Sequence, residues 1–219
     1  MSKEKVYVIW DNSNIHYGGL NHVFPGMEPG VPRTHYRTNF TALLNLVQAD
    51  RELATVYFVG STPPESDNIW SYLDSIGVHT ETIPRAVSGG EWQTTDHLLQ
   101  NHLLRLGYRP EKGTIALLSG DGAGIKKDEG FFADLKRLAS MDWKVEVYSW
   151  DETCHTGLKK YAEENWKFVN LSDHYFEITF LTEESPSLDE IIAEAESRKG
   201  TASSKKAVDD TGPVRERVL

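Results

Sequence analysis

Short continuous apolar runs alternate along this chain with longer segments in which apolar residues return every three or four positions. The runs are Val6 to Trp10, Thr55 to Val59, His79 to Ile83, Thr114 to Ser119 and Lys144 to Trp150. Their length and β-branched content predict buried strands. Between them, four sets keep helical spacing: Phe40, Leu43, Leu44 and Val47; Ile69, Trp70, Leu73 and Ile76; Leu98, Leu99, Leu103 and Leu106; and Phe132, Leu135 and Leu138. Gly77 and Gly107 stop two of these helices, and Thr94, Thr95 and Asp96 offer N-capping side chains to the helix that carries Leu98. One more helix is expected around Leu158 to Glu164, followed by a short apolar run at Phe168 and Val169. Strands and helices alternating at these lengths imply right-handed crossovers and a mostly parallel sheet covered on both faces, an α/β fold.

Three segments depart from the alternation. His16 to about Arg37 holds Gly18-Gly19, Pro25-Gly26, Pro29-Gly30 and Pro32, and reads as a long loop of the kind that forms lids or binding surfaces. Ser88-Gly89-Gly90 marks a second turn-rich loop. Beyond about Thr182 apolar residues thin out: Leu188 to Glu196 suits a charged helix, and Ser197 to Leu219 is expected to be disordered because nothing there offsets the entropy of ordering. The chain thus divides into a domain over 1–182 and a charged extension over 183–219.

Composition narrows the class. No apolar run approaches the roughly 20 residues that span a bilayer, and no apolar signal core follows the N-terminus, so no membrane is expected as a partner and a cytoplasmic address is the default. Cys154 is the one cysteine, which excludes an internal disulfide and a thiolate zinc cage. A net charge of −10 argues against a protein that coats nucleic acid through a broad basic face. A site built from carboxylates and a divalent cation remains open, because the cation reverses the local field where a phosphate must sit.

Two of the strands run directly into an aspartate, Asp11 after the first and Asp121 after Leu118-Ser119-Gly120. Ligands of open α/β sheets bind beyond the carboxyl ends of the strands, at the point where strand order reverses. Asp96, near the start of the helix that leads into the Asp121 strand, can reach the same crevice. Three converging carboxylates favour a hard cation, Mg²⁺ or Mn²⁺, over zinc. For each aspartate taken alone, a helix cap or Asx-turn is the competing explanation, most of all for Asp96 beside Thr94 and Thr95.

The ordered succession of Val6 to Ile15 with Asp11-Asn12-Ser13-Asn14, Thr95-Asp96, Leu118 to Gly122, Gly130-Phe131 and Trp143 to Trp150 resembles the NYN domain family, relatives of the PIN nucleases, over about residues 5–181. The resemblance implies a PIN-like three-layer α/β/α sandwich and a metal-dependent nuclease site, usually acting on RNA, at Asp11, Asp96 and Asp121. Single-stranded RNA is the expected substrate. Asn14 matches the polar position that holds the scissile phosphate or the aspartate geometry. Many relatives carry a further aspartate where this chain has Ala123, and Asp151 and Asp128 are the candidates to replace it as a fourth ligand.

Lys126 and Lys127 are candidate phosphate contacts, against the plainer reading of a solvated charged loop. Tyr17, His22, Phe24, His35 and Tyr36 in the first loop, with Arg85 and Trp92 around the second, offer groups that stack on bases or simply pack. Asn12, Ser13 and Ser119 either bond to local backbone or orient the carboxylates. His97 and His102 are five apart on a helix and cannot chelate one ion together.

Three other classes fit less well. A Rossmann site needs its glycines after the first strand, where Asp-Asn-Ser-Asn stands, and no Walker motif occurs. A phosphatase of the haloacid-dehalogenase type needs a second aspartate where Ser13 stands. A catalytically silent NYN-like module that binds RNA or a protein is the remaining rival, favoured by Ala123 and the acidic charge. Oligomeric state, homodimer included, is not legible in the sequence.

Overall fold

The computed structural model describes residues 3–61, 74–75, 79–83, 91–122, 125 and 130–182. Its strands are β1 (Lys5–Asp11), β2 (Tyr36–Thr38), β3 (Glu52–Ser61), β4 (His79–Ile83), β5 (Thr114–Leu118), β6 (Lys144–Ser149), β7 (Lys167–Asn170) and β8 (Thr179–Leu181). The longer helices are α1 (Asn12–Gly18), α2 (Phe40–Gln48), α3 (Glu91–Gly107), α4 (Gly130–Ala139) and α5 (Thr156–Asn165).

Among the described residues six strands form one sheet in the order β4-β3-β1-β5-β6-β7, every neighbouring pair parallel. β2 and β8 make a separate antiparallel pair. From β1 the chain builds outward to β3 and β4, then returns to the other side of β1 for β5, β6 and β7, so strand order reverses between β1 and β5. A crevice opens at that point beyond the carboxyl ends of the strands.

The period of two along each strand divides the core in half. Val6, Val8, Trp10, Ala116, Leu118 and Tyr148 face one side, under α1, α2 and Tyr175. Tyr7, Ile9, Ile115, Leu117, Val145 and Val147 face the other, under α3, α4 and α5. Both faces of the central strands are therefore covered, which is why these strands read as unbroken apolar runs rather than alternating ones. The three-layer α/β/α arrangement matches the expected fold class.

The five expected strands are present, and Phe168 and Val169 belong to a sixth, β7. Most of the expected helix over Asp67 to Ile76, and everything expected beyond Thr182, lies outside the described residues.

One expectation is corrected. The segment from His16 to Arg37 is not a loop: α1 continues into a π-helical turn over Gly19–Val23 and a short helix over Phe24–Met27, then a 3-10 turn over Arg33–His35 leads into β2. Ile15, Leu20, Val23 and Phe24 are buried at helical spacing, a signal masked in the sequence by the glycines and prolines around them. Gly18 and Gly19 are not turn residues here. A Cβ on Gly18 would stand 2.8 Å from Trp150 Cδ1, and one on Gly19 would stand 2.2 Å from the Tyr36 hydroxyl and 2.9 Å from Trp150 Cζ2. The glycines admit the fully buried Trp150 indole, whose Nε1–H donates to the Ile15 carbonyl at 2.7 Å. A donor entering a helix from the side disturbs its i to i−4 ladder, and the helix widens to π geometry just beyond the contact. Phe24 and Tyr36, offered above as base-stacking groups, are core residues.

His16 packs edge-on to Tyr17 and within hydrogen-bond distance of the Thr38 hydroxyl, at 3.1 Å. Burial, reinforced by the Arg37 guanidinium, pushes its pKa down to about 4.

Two outcomes follow. Trp150→Phe, which keeps an aromatic ring but removes the pyrrole portion with its N–H donor, should cost about 1–3 kcal/mol of unfolding free energy in a urea titration. Because the unfolded chain protonates His16 near its ordinary value of 6.5 and the folded chain only near 4, stability should be full above pH 6.5 and fall as the pH drops to 4, by up to about 3 kcal/mol. Urea titrations across that range should show the slope in the native protein and a flatter one in His16→Gln.

Candidate active site at the carboxyl rim

Asp11 is the last residue of β1 and the N-cap of α1. Its carboxylate is buried, 8% exposed, and accepts the backbone N–H of Asn14 at 3.0 Å. Capping explains why the strand stops and a helix starts at this residue: a side-chain oxygen satisfies a first-turn N–H that has no partner within the helix. On the neighbouring strand Ser119, Gly120 and Asp121 follow β5, with Trp10 paired to Leu118, so the two aspartates leave adjacent strands on one rim.

Asn14 joins the two strand ends. While its N–H holds Asp11, its side-chain Oδ1 accepts the Gly120 N–H at 2.7 Å. The Asp121 N–H donates to the Ser119 hydroxyl at 3.2 Å, and the Gly120 carbonyl accepts the backbone N–H of His155 at 2.9 Å. Asp121 is half-buried. Gly120 cannot carry a side chain here, because its Cβ would fall 2.5 Å from the buried Ser149 hydroxyl.

Asp96 does not cap its helix. α3 begins at Glu91, which puts Thr94, Thr95 and Asp96 inside it rather than at its start. The chain enters α3 from the carboxyl end of β4 and leaves it for the start of β5, so the beginning of α3 belongs to the same rim as Asp11 and Asp121. The Asp96 side chain lies outside the described residues, as do Lys126, Lys127, Asp128, Ala123, Arg85 and the Trp92 side chain.

Asp151 follows β6, next along the rim. Its N–H donates to Asn170 Oδ1 at 3.2 Å, and its carboxylate pairs with Lys159 of α5. That ion pair makes Asp151 the less suited of the two candidate fourth ligands, since a cation would have to displace Lys159. Cys154 is half-buried, and burial raises its thiol pKa. His102 is buried and stacked on Tyr57 at 3.9 Å, while His97 is exposed.

His155 was not among the residues singled out from the sequence. It N-caps α5, its Nδ1 accepting the Gly157 N–H at 3.1 Å, and its ring lies over Gly122, where a Cβ would meet the ring Cγ at 2.1 Å. The available signal was weak: a histidine two residues before a glycine at a helix start, far in sequence from either aspartate.

The donor chemistry fits a divalent cation in part. Two carboxylates at neighbouring strand ends, braced by neutral amide and hydroxyl groups, supply hard oxygen ligands. No group of three histidine, cysteine, aspartate or glutamate side chains placed to hold a metal occurs among the described residues, and the third expected member, Asp96, has its side chain outside them.

Asn14→Ala removes the link between the strand ends and leaves the Gly120 N–H without its acceptor. Unfolding free energy should fall by about 1–3 kcal/mol in chemical denaturation.

Comparison with known proteins agrees with this geometry. A solved structure of a protein of unknown function from Vibrio parahaemolyticus shares the fold at a TM-score of 0.57 and 17% sequence identity, over 82% of this chain and 97% of that one. No curated protein matches significantly. The NYN domain family matches residues 5–178, from the start of β1 to the residue before β8. With that match covering most of its length, the chain belongs to the NYN domain family, a family of PIN-like nucleases.

Proposed function

We propose that this protein is a divalent-metal-dependent endoribonuclease that cleaves single-stranded RNA at the carboxyl rim between β1 and β5. The observation that carries the reading is the placement of Asp11 and Asp121 on adjacent parallel strand ends at the reversal of strand order, in a chain of a nuclease family. Asp11, Asp121 and Asp96 are the residues that would hold Mg²⁺ or Mn²⁺, which when bound polarises the phosphodiester and lowers the pKa of a water. Asp128 is the better candidate for a fourth ligand, given the Asp151–Lys159 pair.

The protein's own residues do the rest. Asn14 and Ser119 hold the backbones that carry the two aspartates, so the carboxylates keep their spacing before substrate arrives; such preorganisation removes a reorganisation cost from the reaction. With a net charge of −10, the chain meets RNA at a local site rather than over a broad surface. Lys126 and Lys127 are its proposed phosphate contacts.

No helix among the described residues is long and apolar enough to cross a membrane, and a cytoplasmic setting is part of this proposal. Ala123, where many relatives have an aspartate, supports the second reading, a silent module that binds RNA without cutting it.

Asp11→Asn should abolish cleavage of labelled single-stranded RNA while leaving the circular dichroism spectrum and melting temperature near those of the native protein. Excess EDTA should do the same reversibly. Cleavage that survives both would overturn the metal mechanism, and RNA binding without turnover in Mg²⁺ and Mn²⁺ would establish the silent module.

A further inference from the structure

We propose that His155 contacts the RNA substrate of this site, its Nε2–H donating to a phosphodiester oxygen beside Asp121. The inference rests on the nuclease reading above and extends it to a residue that neither the sequence pattern nor the family match assigns.

Three observations carry it. The first is position: the His155 backbone N–H is bonded to the Gly120 carbonyl at 2.9 Å, and its ring covers Gly122, so it grips the residues on both sides of Asp121. The second is the state of the ring. Nδ1 accepts the Gly157 N–H at 3.1 Å, and an imidazole that accepts at one nitrogen carries its proton on the other, so the neutral ring presents Nε2–H as a donor. The third is exposure. His155 is exposed, and Nε2 has no partner among the described residues.

Helix capping alone does not call for this residue type. Serine, threonine, aspartate and asparagine cap as well or better, and each ends where the cap ends. Histidine carries a second nitrogen beyond the capping atom, held by the cap in one tautomer of the neutral ring and one orientation. Among the described residues of this rim, Asp11, Asp121 and Asp151 supply carboxylate acceptors, and Lys159 is paired with Asp151. A phosphate oxygen is the ligand chemistry that an N–H donor beside a carboxylate-held cation suits, and a contact of this type positions the strand without reading its bases.

Two substitutions separate the contact from the cap. His155→Asn keeps an acceptor near the Nδ1 position and deletes the outer donor; His155→Gln restores an N–H donor near the Nε2 position. Binding of a fluorescein-labelled single-stranded RNA would be followed by anisotropy in Ca²⁺, and cleavage in Mn²⁺, with melting temperatures measured alongside. The expected result for His155→Asn is an unchanged melting temperature, a Kd and KM raised about tenfold, and kcat within about twofold of native, the size expected from losing one hydrogen bond to substrate. His155→Gln should recover most of the binding.

The proposal is overturned if His155→Asn binds and cuts like the native protein, or if both variants lose binding only in step with a lowered melting temperature. Asp11→Asn serves as the control for the site itself: it should fold and not cut. If the native protein neither binds nor cuts RNA, the site reading fails and the His155 contact with it. If native cutting and the Asp11→Asn loss both hold while His155→Asn is silent, only the His155 contact fails.

Discussion

The indole of Trp150, buried at the end of β6 and bonded to the Ile15 carbonyl, fixes how the chain leaves β1. That one donor reaches across the sheet from the third strand of the β1-β5-β6 series to the helix that Asp11 caps. It requires glycine at 18 and 19 and accompanies the widened turn over Gly19–Val23, which in turn brings Leu20, Val23 and Phe24 into the core. Asp11 and Asn14 sit at the near end of this same helix. Their position at the rim is therefore set by packing some residues away, on the far side of the ring, and not by contacts within the rim alone.

At the rim itself, charge is handled in two different ways. The β1 and β5 ends are braced by neutral groups: the Asn14 amide, the Ser119 hydroxyl and backbone N–H groups. A buried carboxylate is costly unless it is hydrogen-bonded or paired, and the Asn14 N–H gives Asp11 one such bond. Along the same rim, Asp151 is neutralised by Lys159. Nearer the start of the same strand, β6, Glu146 goes further in that direction: burial alone would raise its carboxyl pKa, but Arg51 at 2.9 Å and the Tyr148 hydroxyl at 2.8 Å outweigh it and hold it below the ordinary range. Ion pairs thus secure Asp151 and Glu146.

The strands were legible because each carries a compact apolar run whose length fits a strand and not a helix, and because helices of regular spacing stand between them. The helices at Phe40, Gly130 and Thr156 were legible from the same spacing. The stretch after β1 was not, since glycine and proline dominate its composition and their ordinary meaning is a turn. Gly18 and Gly19 are there for an approach by Trp150, more than a hundred residues later, and no local pattern carries that information. Thr94, Thr95 and Asp96 read as N-capping side chains in competition with a site role for Asp96, but the helix starts earlier, at Glu91.

By itself the sequence determined the α/β alternation, the strands that end in Asp11 and Asp121, and the family, because local period and motif order are properties of consecutive residues. The tertiary structure alone decided that Asn14 spans the two strand ends, that Asp151 is taken by Lys159, and that His155 lies against the backbone beside Asp121. Those relations join residues as far apart as 14 and 120 or 122 and 155, and they exist only once parallel strands bring their carboxyl ends to a common rim.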